Sequence, residues 1–340
     1  MINAYAAFAA KGKMAAFQYD PGPIASNEVE IDVEYCGVCH SDISMIDNEW
    51  GRSTYPLVPG HEIVGTIAMV GPAVTTLKAG DVVGLGWHAD YCMTCSTCMA
   101  GDHNLCLSVQ PTIVGRHGGF ADKVRASAAS VVKLPRGIDK ATAGPLFCGG
   151  ITVFNPLVQF DIQATDKVAV IGIGGLGHLA LKFLHAWGCE VTAFTSNASK
   201  QQEALALGAR HTIDSTDREE IRKHINSFDL IISTVAVDLD WPDYVATLKP
   251  KGRLHFVGIP TQPIEIGVVS LLRGQKSLSA SPVGSPATIA RMLEFAALHG
   301  IQPDVEEYGI DEINNAIERL RSGAPRYRVV INMNGRRSKS

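Results

Sequence analysis

The sequence has little charge and no excess of either sign. Charged residues make up 19% of its 340 residues, and 30 basic side chains stand against 34 acidic ones, for a net charge of −4. A nucleic-acid-binding protein is expected to present a basic surface, so this composition argues against that class. The one basic run is Arg336-Arg337-Ser338-Lys339, which we expect to be a frayed terminus and not a binding arm.

Long apolar runs are also missing. The longest one lies in a glycine-rich region after Lys167 and is interrupted by Gly, His and Lys182, so no membrane span is predicted. Residues 1–14 contain early lysines but no sustained apolar core, so no signal peptide is expected. With 46% hydrophobic residues the chain is long enough for two domains. These features predict a cytoplasmic protein that binds neither nucleic acid nor a membrane.

Cysteines are few but concentrated. Four of the eight follow the pattern C-x2-C-x2-C-x7-C. This spacing allows one loop to surround a tetrahedral ion with four thiolates, which leaves no open position for chemistry. The alternative, a disulfide-bonded loop, requires an oxidising compartment and usually a small secreted domain. We therefore predict a structural zinc site formed by Cys92, Cys95, Cys98 and Cys106.

A second set of possible zinc ligands is dispersed along the chain. Cys39, His61 and Cys148 provide two thiolates and one imidazole. Three protein ligands leave the fourth position of a tetrahedral zinc open, as in a catalytic site. Taken singly, each residue is weak evidence, because a free cysteine is more often a packed residue and a lone histidine a hydrogen-bonded core residue. The remaining cysteines, Cys36 and Cys189, are expected to be packed residues.

The glycine-rich segment after Lys167 follows a short apolar run that is typical of a buried parallel strand. Gly172 permits a tight turn, Gly174 lets the backbone approach a pyrophosphate, and Gly177 allows close helix packing. The alternative is a turn of small residues in an ordinary α/β protein. The candidate cofactor-binding residues are Gly172, Gly174, Gly175, Leu176 and Gly177. One apolar helical stripe follows, formed by Leu176, Leu179, Ala180, Phe183, Leu184 and Trp187.

The second strand of this region distinguishes between two nicotinamide cofactors. An NAD site would place an acid near its end, but Thr195 and Ser196 stand there. Hydroxyl groups, the amide of Asn197 and the nearby cation Lys200 can donate to a 2′-phosphate, so the pattern favours NADP(H). Asn197 or Ser196 is equally suited to capping a helix that runs through Lys200 and ends at Gly208, and both roles are compatible.

Together these motifs resemble the zinc-containing medium-chain alcohol dehydrogenases, in the cinnamyl alcohol dehydrogenase branch. The resemblance extends over nearly the whole chain, and residues 40–51 and 148–154 are similar to bacterial broad-range NADPH-dependent aldehyde reductases. It implies two Zn²⁺ per chain and NADP(H). It also implies that zinc polarises an aldehyde oxygen while the nicotinamide supplies hydride, and that the chains form homodimers or tetramers.

The resemblance assigns roles to five further residues. Asp42 would orient the ligand His61, and Ser41 would pass a proton to the substrate oxygen. Glu62 would lie beside the metal, and His40 near the cofactor pyrophosphate. Many relatives carry a histidine where this chain has Ser44. We therefore expect the proton relay to end through the cofactor ribose, Ser44 and ordered water, without a group that titrates near pH 6.5.

Two tryptophans are candidates for the substrate pocket. Trp50 and Trp87 stand at offsets from Cys39 and Cys92 that resemble those of pocket tryptophans in yeast-type alcohol dehydrogenases. Large aromatic walls suit an apolar aliphatic or arylpropenyl tail. A role in the core is the alternative for each of them.

The predicted fold class is α/β, with a GroES-like, barrel-type catalytic domain and a Rossmann domain. Short strands at 29–35, 63–70, 81–85 and 130–134 are separated by Gly and Pro turns, which is typical of an antiparallel barrel. From Lys167, strands alternate with helices, as in a doubly wound parallel sheet with later strands at 229–235 and 253–258. A helix is predicted to begin at Ser285-Pro286 and to end at Gly300. The proposed boundaries assign 1–150 and 286–340 to the catalytic domain and 151–285 to the nucleotide domain.

Three other functions compete with aldehyde reduction. A zinc-independent reductase of the quinone type would lack both ligand sets. A non-catalytic NADPH or zinc sensor would bind without turnover, which the ligand triad with Ser41 disfavours. An NAD-dependent polyol dehydrogenase would carry an acid where Ser196 stands.

Overall fold

A computed structural model describes residues 1–335 of the protein, so the basic tail lies outside the described residues. The chain folds into two compact units. The first combines Met1–Ile151 with the segment that begins at Val283, and the second is Thr152–Pro282. The boundaries expected from the sequence, after 150 and before 286, lie within three residues of these.

The strands are short, and most alternate with turns. In chain order they are β1 Ile2–Ala6, β2 Ala15–Tyr19, β3 Glu28–Val38, β4 Glu62–Val70, β5 Val82–Leu85, β6 His88–Asp90, β7 Gln110–Pro111, β8 Lys123–Ser127, β9 Val131–Lys133, β10 Lys167–Ile171, β11 Glu190–Thr195, β12 His211–Asp214, β13 Phe228–Ser233, β14 Leu248–Phe256, β15 Ser277–Ala280, β16 Val305–Gly309 and β17 Arg328–Asn332.

The α-helices lie mostly in the second half of the chain. They are α1 His40–Asp47, α2 Ser96–Met99, α3 Lys140–Ala143, α4 Gly149–Gln159, α5 Gly177–Trp187, α6 Ala198–Ala206, α7 Arg218–Arg222, α8 Trp241–Thr247, α9 Val268–Leu272, α10 Pro286–His299 and α11 Ile313–Arg321. Short 3₁₀ helices occupy His103–Leu105, Ala128–Ser130, Gly144–Phe147 and Ile310–Glu312.

The second unit contains a six-stranded sheet in the order β12-β11-β10-β13-β14-β15, and all of its neighbouring pairs are parallel. Numbered within the unit, this order is 3-2-1-4-5-6, that of a doubly wound dinucleotide-binding sheet. The order reverses between β10 and β13, and in such sheets ligands bind beyond the carboxyl ends of the strands at this point. The glycine turn follows β10 directly.

Helix α5 packs its predicted stripe as expected. Leu179, Ala180, Phe183 and Leu184 are fully buried, whereas the two ends of the stripe are half-buried. Burying a leucine or phenylalanine completely contributes about 1.5–3 kcal/mol, so this face holds the helix against the sheet. Gly188 ends the helix with a φ of 101°, a conformation that costs glycine little.

The first unit contains a seven-stranded sheet along the path β16-β17-β3-β4-β5-β9, with β8 pairing beside β3. All of its pairs are antiparallel except β16 with β17. The C-terminal strand β17 thus returns to pair with β3 of the N-terminal segment. A parallel sheet in one unit and a mainly antiparallel one in the other confirm the predicted fold class.

Helix α10 has the predicted ends. The Ser285 hydroxyl accepts a hydrogen bond from the Thr288 amide, Pro286 is the first helical residue, and Gly300 ends the helix with a φ of 65°. Among residues 1–335 no single helix is long and apolar enough to cross a membrane. One bent pair, Lys140–Phe147 with Gly149–Gln159, meets the length and composition test jointly across a 55° break.

Candidate metal centres and cofactor site

The dispersed ligands lie in the first unit, each at the end of an element. Cys39 follows β3 and is the N-cap residue of α1, His61 directly precedes β4, and Cys148 stands between a 3₁₀ helix and α4. Strands β3 and β4 are antiparallel neighbours, with Gly37 opposite Glu62. The end of one strand therefore lies beside the start of the other, which brings Cys39 and His61 together.

The three ligand side chains converge on one point. The sulfur atoms of Cys39 and Cys148 are 3.8 Å apart, and His61 Nε2 lies 3.3 Å from the Cys148 sulfur. A carboxylate oxygen of Glu62 belongs to the same cluster, in which all ligand atoms lie within 4.8 Å of one another. The hydrogen bond between the two thiols holds the pKa of Cys39 well below its usual range and the pKa of Cys148 well above it, so Cys39 is the thiolate of the pair.

Asp42 supports this arrangement through its hydrogen bonds. Its fully buried carboxylate lies 2.9 Å from His61 Nδ1 and accepts hydrogen bonds from the amides of Cys39 and Gly60 at 2.9 and 2.8 Å. A carboxylate only accepts, so Nδ1 carries the hydrogen and the Nε2 lone pair is directed at the cluster. The predicted orienting partner of His61 therefore stands where that role needs it.

Arg328 is a member of the site that the sequence reasoning missed. It is only 6% exposed, and its guanidinium donates to the buried carboxylate of Glu62. Strand β17 pairs with β3 so that Val329 lies opposite Val38, and this register places Arg328 beside Cys39. Burial raises the pKa of the Glu62 carboxyl to about 7, against the opposing effect of Arg328.

The four clustered cysteines form a second metal-binding arrangement. Cys92 lies 3.9 Å from Cys98 and 3.5 Å from Cys106, measured between sulfur atoms, and all four sulfurs lie within 4.8 Å of one another. A disulfide would require about 2.05 Å, and all eight cysteines are free. The short helix α2 begins immediately after Cys95 and turns Cys98 back toward Cys92.

Both clusters fit zinc by their donors and spacing. Four sulfurs about 2.3 Å from a central ion stand roughly 3.8 Å apart at the corners of a tetrahedron, close to the separations found here. In the dispersed cluster, one Glu62 oxygen is buried without a hydrogen-bond partner among residues 1–335, so a nearby cation would satisfy it. The four-cysteine site is closed, whereas the dispersed triad leaves one tetrahedral position.

The glycine turn in the second unit has the form of a phosphate cradle. Gly172 has a φ of 85°, and a Cβ at Gly177 would collide with the Gly172 carbonyl, so both positions require glycine. A Cβ at Gly174 would meet no described atom within 4 Å. Packing within the unit therefore does not explain Gly174, whereas a ligand close to the backbone would. Gly175 and Leu176 are half-buried and lead into α5.

The candidate residues for binding the 2′-phosphate follow β11, and they differ in exposure. Thr195 is buried, and Ser196 and Asn197 are exposed. Asn197 caps α6 by accepting from the Ser199 amide at 2.9 Å, so its predicted capping role is present, with the helix starting at Ala198. Lys200 donates to the Ile173 carbonyl of the glycine turn at 3.0 Å. The ammonium group of Lys200 therefore contacts the glycine turn itself.

Comparisons with known proteins agree with this geometry. The family described as "Alcohol dehydrogenase GroES-like domain" matches residues 25–136, and "Zinc-binding dehydrogenase" matches residues 175–297. The aldehyde reductase AdhA of Synechocystis is 62% identical over 331 residues, which cover 97% of this chain and 98% of that protein. This chain belongs to the zinc-containing alcohol dehydrogenase family.

Solved structures support the same family assignment for this alcohol dehydrogenase. A cinnamyl alcohol dehydrogenase from Sorghum bicolor matches with a TM-score of 0.94 and 37% identity, over 100% of this chain and 99% of that one. The protein described as CAD from Helicobacter pylori, complexed with NADP(H), matches with a TM-score of 0.90 and 30% identity over 98% of both chains. The predicted family is confirmed.

One of the two tryptophans of the alcohol dehydrogenase, Trp87, lies next to the dispersed cluster, and Trp50 packs against Trp87. The rings of Trp50 and Trp87 meet edge to face with centroids 5.9 Å apart, and Trp87 meets the His61 ring at 4.8 Å. Trp87 also packs against a small core formed by Met45, Leu57 and Ile113, while Trp50 remains 39% exposed. Trp87 thus contacts both this core and the metal-ligand side chain of His61.

The remaining predicted residues of the site lie on helix α1. His40 is its exposed first residue, and Ser41 follows, half-buried. Ser44 is buried, and its hydroxyl donates to the Glu49 carboxylate at 2.6 Å. The sequence had suggested ordered water as the partner of Ser44, so Glu49 is an addition that only the structure provides.

Proposed function

We propose that this alcohol dehydrogenase reduces aldehydes to primary alcohols with NADPH, reversibly, and accepts aliphatic as well as aromatic or cinnamyl-type aldehydes. The observation that carries the proposal is the cluster of Cys39, His61 and Cys148, with His61 oriented by Asp42. It supplies three protein ligands and leaves one tetrahedral position for a substrate oxygen. The names of relatives support the reaction, since aldehyde reductase and cinnamyl alcohol dehydrogenase occur among them.

In this assignment a zinc ion in the dispersed cluster would polarise the aldehyde carbonyl as a Lewis acid, and NADPH would supply the hydride. The chain itself performs the remaining tasks. Asp42 keeps His61 in the ligating tautomer. The cation of Arg328 offsets the concentrated negative charge of two thiolates and Glu62, which is costly to bury unpaired.

We assign proton transfer and substrate binding to the side chains around this cluster. Ser41 follows Cys39 by two residues and is proposed to deliver the proton to the reduced oxygen. Trp87 is proposed to shield the ligand face of His61 from water, and Trp50 to hold an apolar tail. The partial exposure of Trp50 is consistent with a wide range of apolar tails.

The preference for NADPH is supported by the residues after β11. No acid stands at Thr195 or Ser196 to repel a 2′-phosphate, and Ser196 and Asn197 are exposed. Lys200, tied to the Ile173 carbonyl, adds positive charge close to the glycine turn. The H. pylori relative, solved with NADP(H), lends further support.

The first test measures NADPH oxidation by the purified protein with hexanal and with cinnamaldehyde. NADH and a chelator-treated, metal-depleted sample serve as parallel controls. Turnover with NADPH, little with NADH, and loss after metal removal are expected. Tight NADPH binding without turnover of any aldehyde would contradict the proposal and favour a sensor.

A substitution pair tests the cofactor assignment separately. Ser196→Asp places an acid where an NAD site has one and should shift the ratio of kcat/KM from NADPH toward NADH by at least about 10-fold, since an acid repels the 2′-phosphate. Ser196→Ala is the matched control and should change the ratio much less. An unchanged ratio in Ser196→Asp would place the 2′-phosphate elsewhere.

We further propose that the protein acts as a homo-oligomer in the cytoplasm. Eight free thiols, six of them in metal-type clusters, suit a reducing compartment. Exposed apolar side chains on the cysteine loop, among them Met99, Leu105 and Leu107, offer surface for association. Sedimentation analysis would distinguish a monomer from a dimer or a tetramer.

A further inference from the structure

The hydroxyl of Ser44 is held by a residue that the sequence did not implicate. Ser44 is 3% exposed, and its Oγ donates to Glu49 Oε2 over 2.6 Å. A short hydrogen bond to a charged acceptor is about twice as strong as one between neutral groups. Ser44 therefore has a fixed orientation.

The end of helix α1 explains why Glu49 stands over Ser44. Asn48 adopts a φ of 56°, its amide donates to the Met45 carbonyl at 3.2 Å, and the Glu49 amide donates to the Ser44 carbonyl at 2.9 Å. These two bonds form a Schellman motif, which turns the chain back over the last helical turn. Backbone and side chain of Glu49 both bind Ser44, so the contact is part of the helix end and not a chance surface rotamer.

Helix α1 also connects this pair to the metal cluster. The helix begins at the ligand Cys39, and Ser41 and Ser44 are three residues apart on it. Side chains at this spacing are neighbours on one helical face, with Cβ atoms roughly 5–6 Å apart. One water or another hydroxyl can bridge that gap. Glu49 itself is exposed, so the series Ser41, Ser44, Glu49 leads from the cluster to solvent.

A serine hydroxyl has a single hydrogen, and here that hydrogen is committed to Glu49. Only the lone pairs of Ser44 Oγ remain for a partner on its other side. Ser44 is thus prepared to accept a proton from the site while its own hydrogen moves outward.

We propose that Glu49 is the positioning residue of proton exit: it orients the Ser44 hydroxyl and receives the hydrogen that Ser44 passes on. This inference rests on the proposed function. In alcohol oxidation the substrate loses a hydride from carbon to NADP⁺ and a proton from its hydroxyl. As that proton reaches Ser44 Oγ, the Ser44 hydrogen transfers to the Glu49 carboxylate. The resulting carboxylic acid then releases one proton to water, so that aldehyde, NADPH and H⁺ are the products.

The test compares Glu49→Gln, Glu49→Asp and Glu294→Gln in alcohol oxidation by the zinc-loaded enzyme. Glu294 is an exposed glutamate on α10 and serves as the matched control. Glutamine preserves the size of the side chain but cannot take up a proton. Zinc content and the melting temperature of each variant establish that the fold and the cluster are intact.

We expect Glu49→Gln to lower kcat about 10- to 100-fold with little change in KM. This is less than the roughly 10²–10⁴-fold contribution of a group that transfers the proton of the substrate directly, because Glu49 acts through Ser44. Added formate or imidazole should restore the rate with a saturating dependence on the base. Glu49→Asp should keep most of the activity, and Glu294→Gln should match the wild type. Wild-type kcat in Glu49→Gln, or a loss that no added base relieves, would overturn the inference. Failure of the wild type to oxidise any alcohol would instead overturn the proposed function itself.

Discussion

The two cysteine clusters of this protein are assembled in opposite ways. The closed cluster takes its four thiols from residues 92–106, a single loop with two short helical turns. The open cluster joins Cys39 to Cys148, 109 residues away, and depends on the pairing of β3 with β4 for His61. A local cluster is specified by spacing, whereas a dispersed one exists only once the sheet of the first unit has formed.

Their surroundings differ as well. Around the open cluster, Asp42, Glu62 and Arg328 are all buried, and each touches a ligand or a neighbour of one. Around the closed cluster, the thiols contact mostly the loop's own thiols, amides and hydroxyls, such as Cys95 with Thr97 at 3.0 Å. The open site thus combines charges next to its ligands, Asp42 and Glu62, with one from a distant strand, Arg328, whereas the closed site is held mainly by its own loop.

Removing one ligand from the open cluster should have the largest effect and should distinguish its function from that of the closed cluster. Cys148→Ser should reduce turnover by at least about 10³-fold, more than the loss of an orienting partner, which costs about 10 to 100-fold. Metal analysis should show zinc falling from two to one per chain, with the melting temperature little changed. Retention of two zinc ions per chain would show that Cys148 is not a ligand.

The next largest effect is expected from Asp42, the buried residue that orients His61 in the open cluster. Asp42→Asn should lower activity or zinc affinity about 10- to 100-fold, because the amide no longer fixes the tautomer of His61. Asp47→Asn is the control on the same helix, since Asp47 pairs with Arg321 and not with His61. Steady-state rates and zinc titrations of both variants provide the comparison. Equal losses in the two would indicate damage to helix α1 and not to His61.

A smaller effect on turnover is expected from the closed cluster. Cys106→Ser should release one zinc and lower the melting temperature, because structural zinc contributes folding energy. Turnover per folded molecule should stay within about threefold of the wild type, since the closed site does no chemistry. Limited proteolysis should show earlier cleavage within residues 92–109. A loss of turnover as large as that of Cys148→Ser would mean that the two sites are not independent.

The smallest effect should come from a cysteine in neither cluster. Cys189 is buried, and its thiol donates weakly to the Gln163 carbonyl at 3.5 Å. Cys189→Ala should retain two zinc ions and normal turnover, with the free energy of unfolding lowered by about 1 kcal/mol for the lost sulfur packing. Denaturant unfolding and metal analysis check both points, and loss of a zinc ion would contradict the division of the cysteines.

Much of the fold was predictable where the signal is local. The end of α10 at Gly300 follows from capping preferences that operate within a few residues. The strand, turn and helix around Gly172 follow from periodicity and from steric needs that only glycine meets. The partner of Ser44 was missed, because it depends on the positive φ of Asn48 at the end of α1.

The sequence by itself determined the closed cysteine loop and the glycine turn, because spacing and residue chemistry act over short distances. The three candidate ligands of the open site were predicted only in combination with the family resemblance. Only the tertiary structure decided that Arg328 pairs with Glu62, 266 residues away, and that Trp87 faces His61. The register of β17 on β3 sets the first contact. No local pattern encodes such a register, since it results from the packing of the whole sheet.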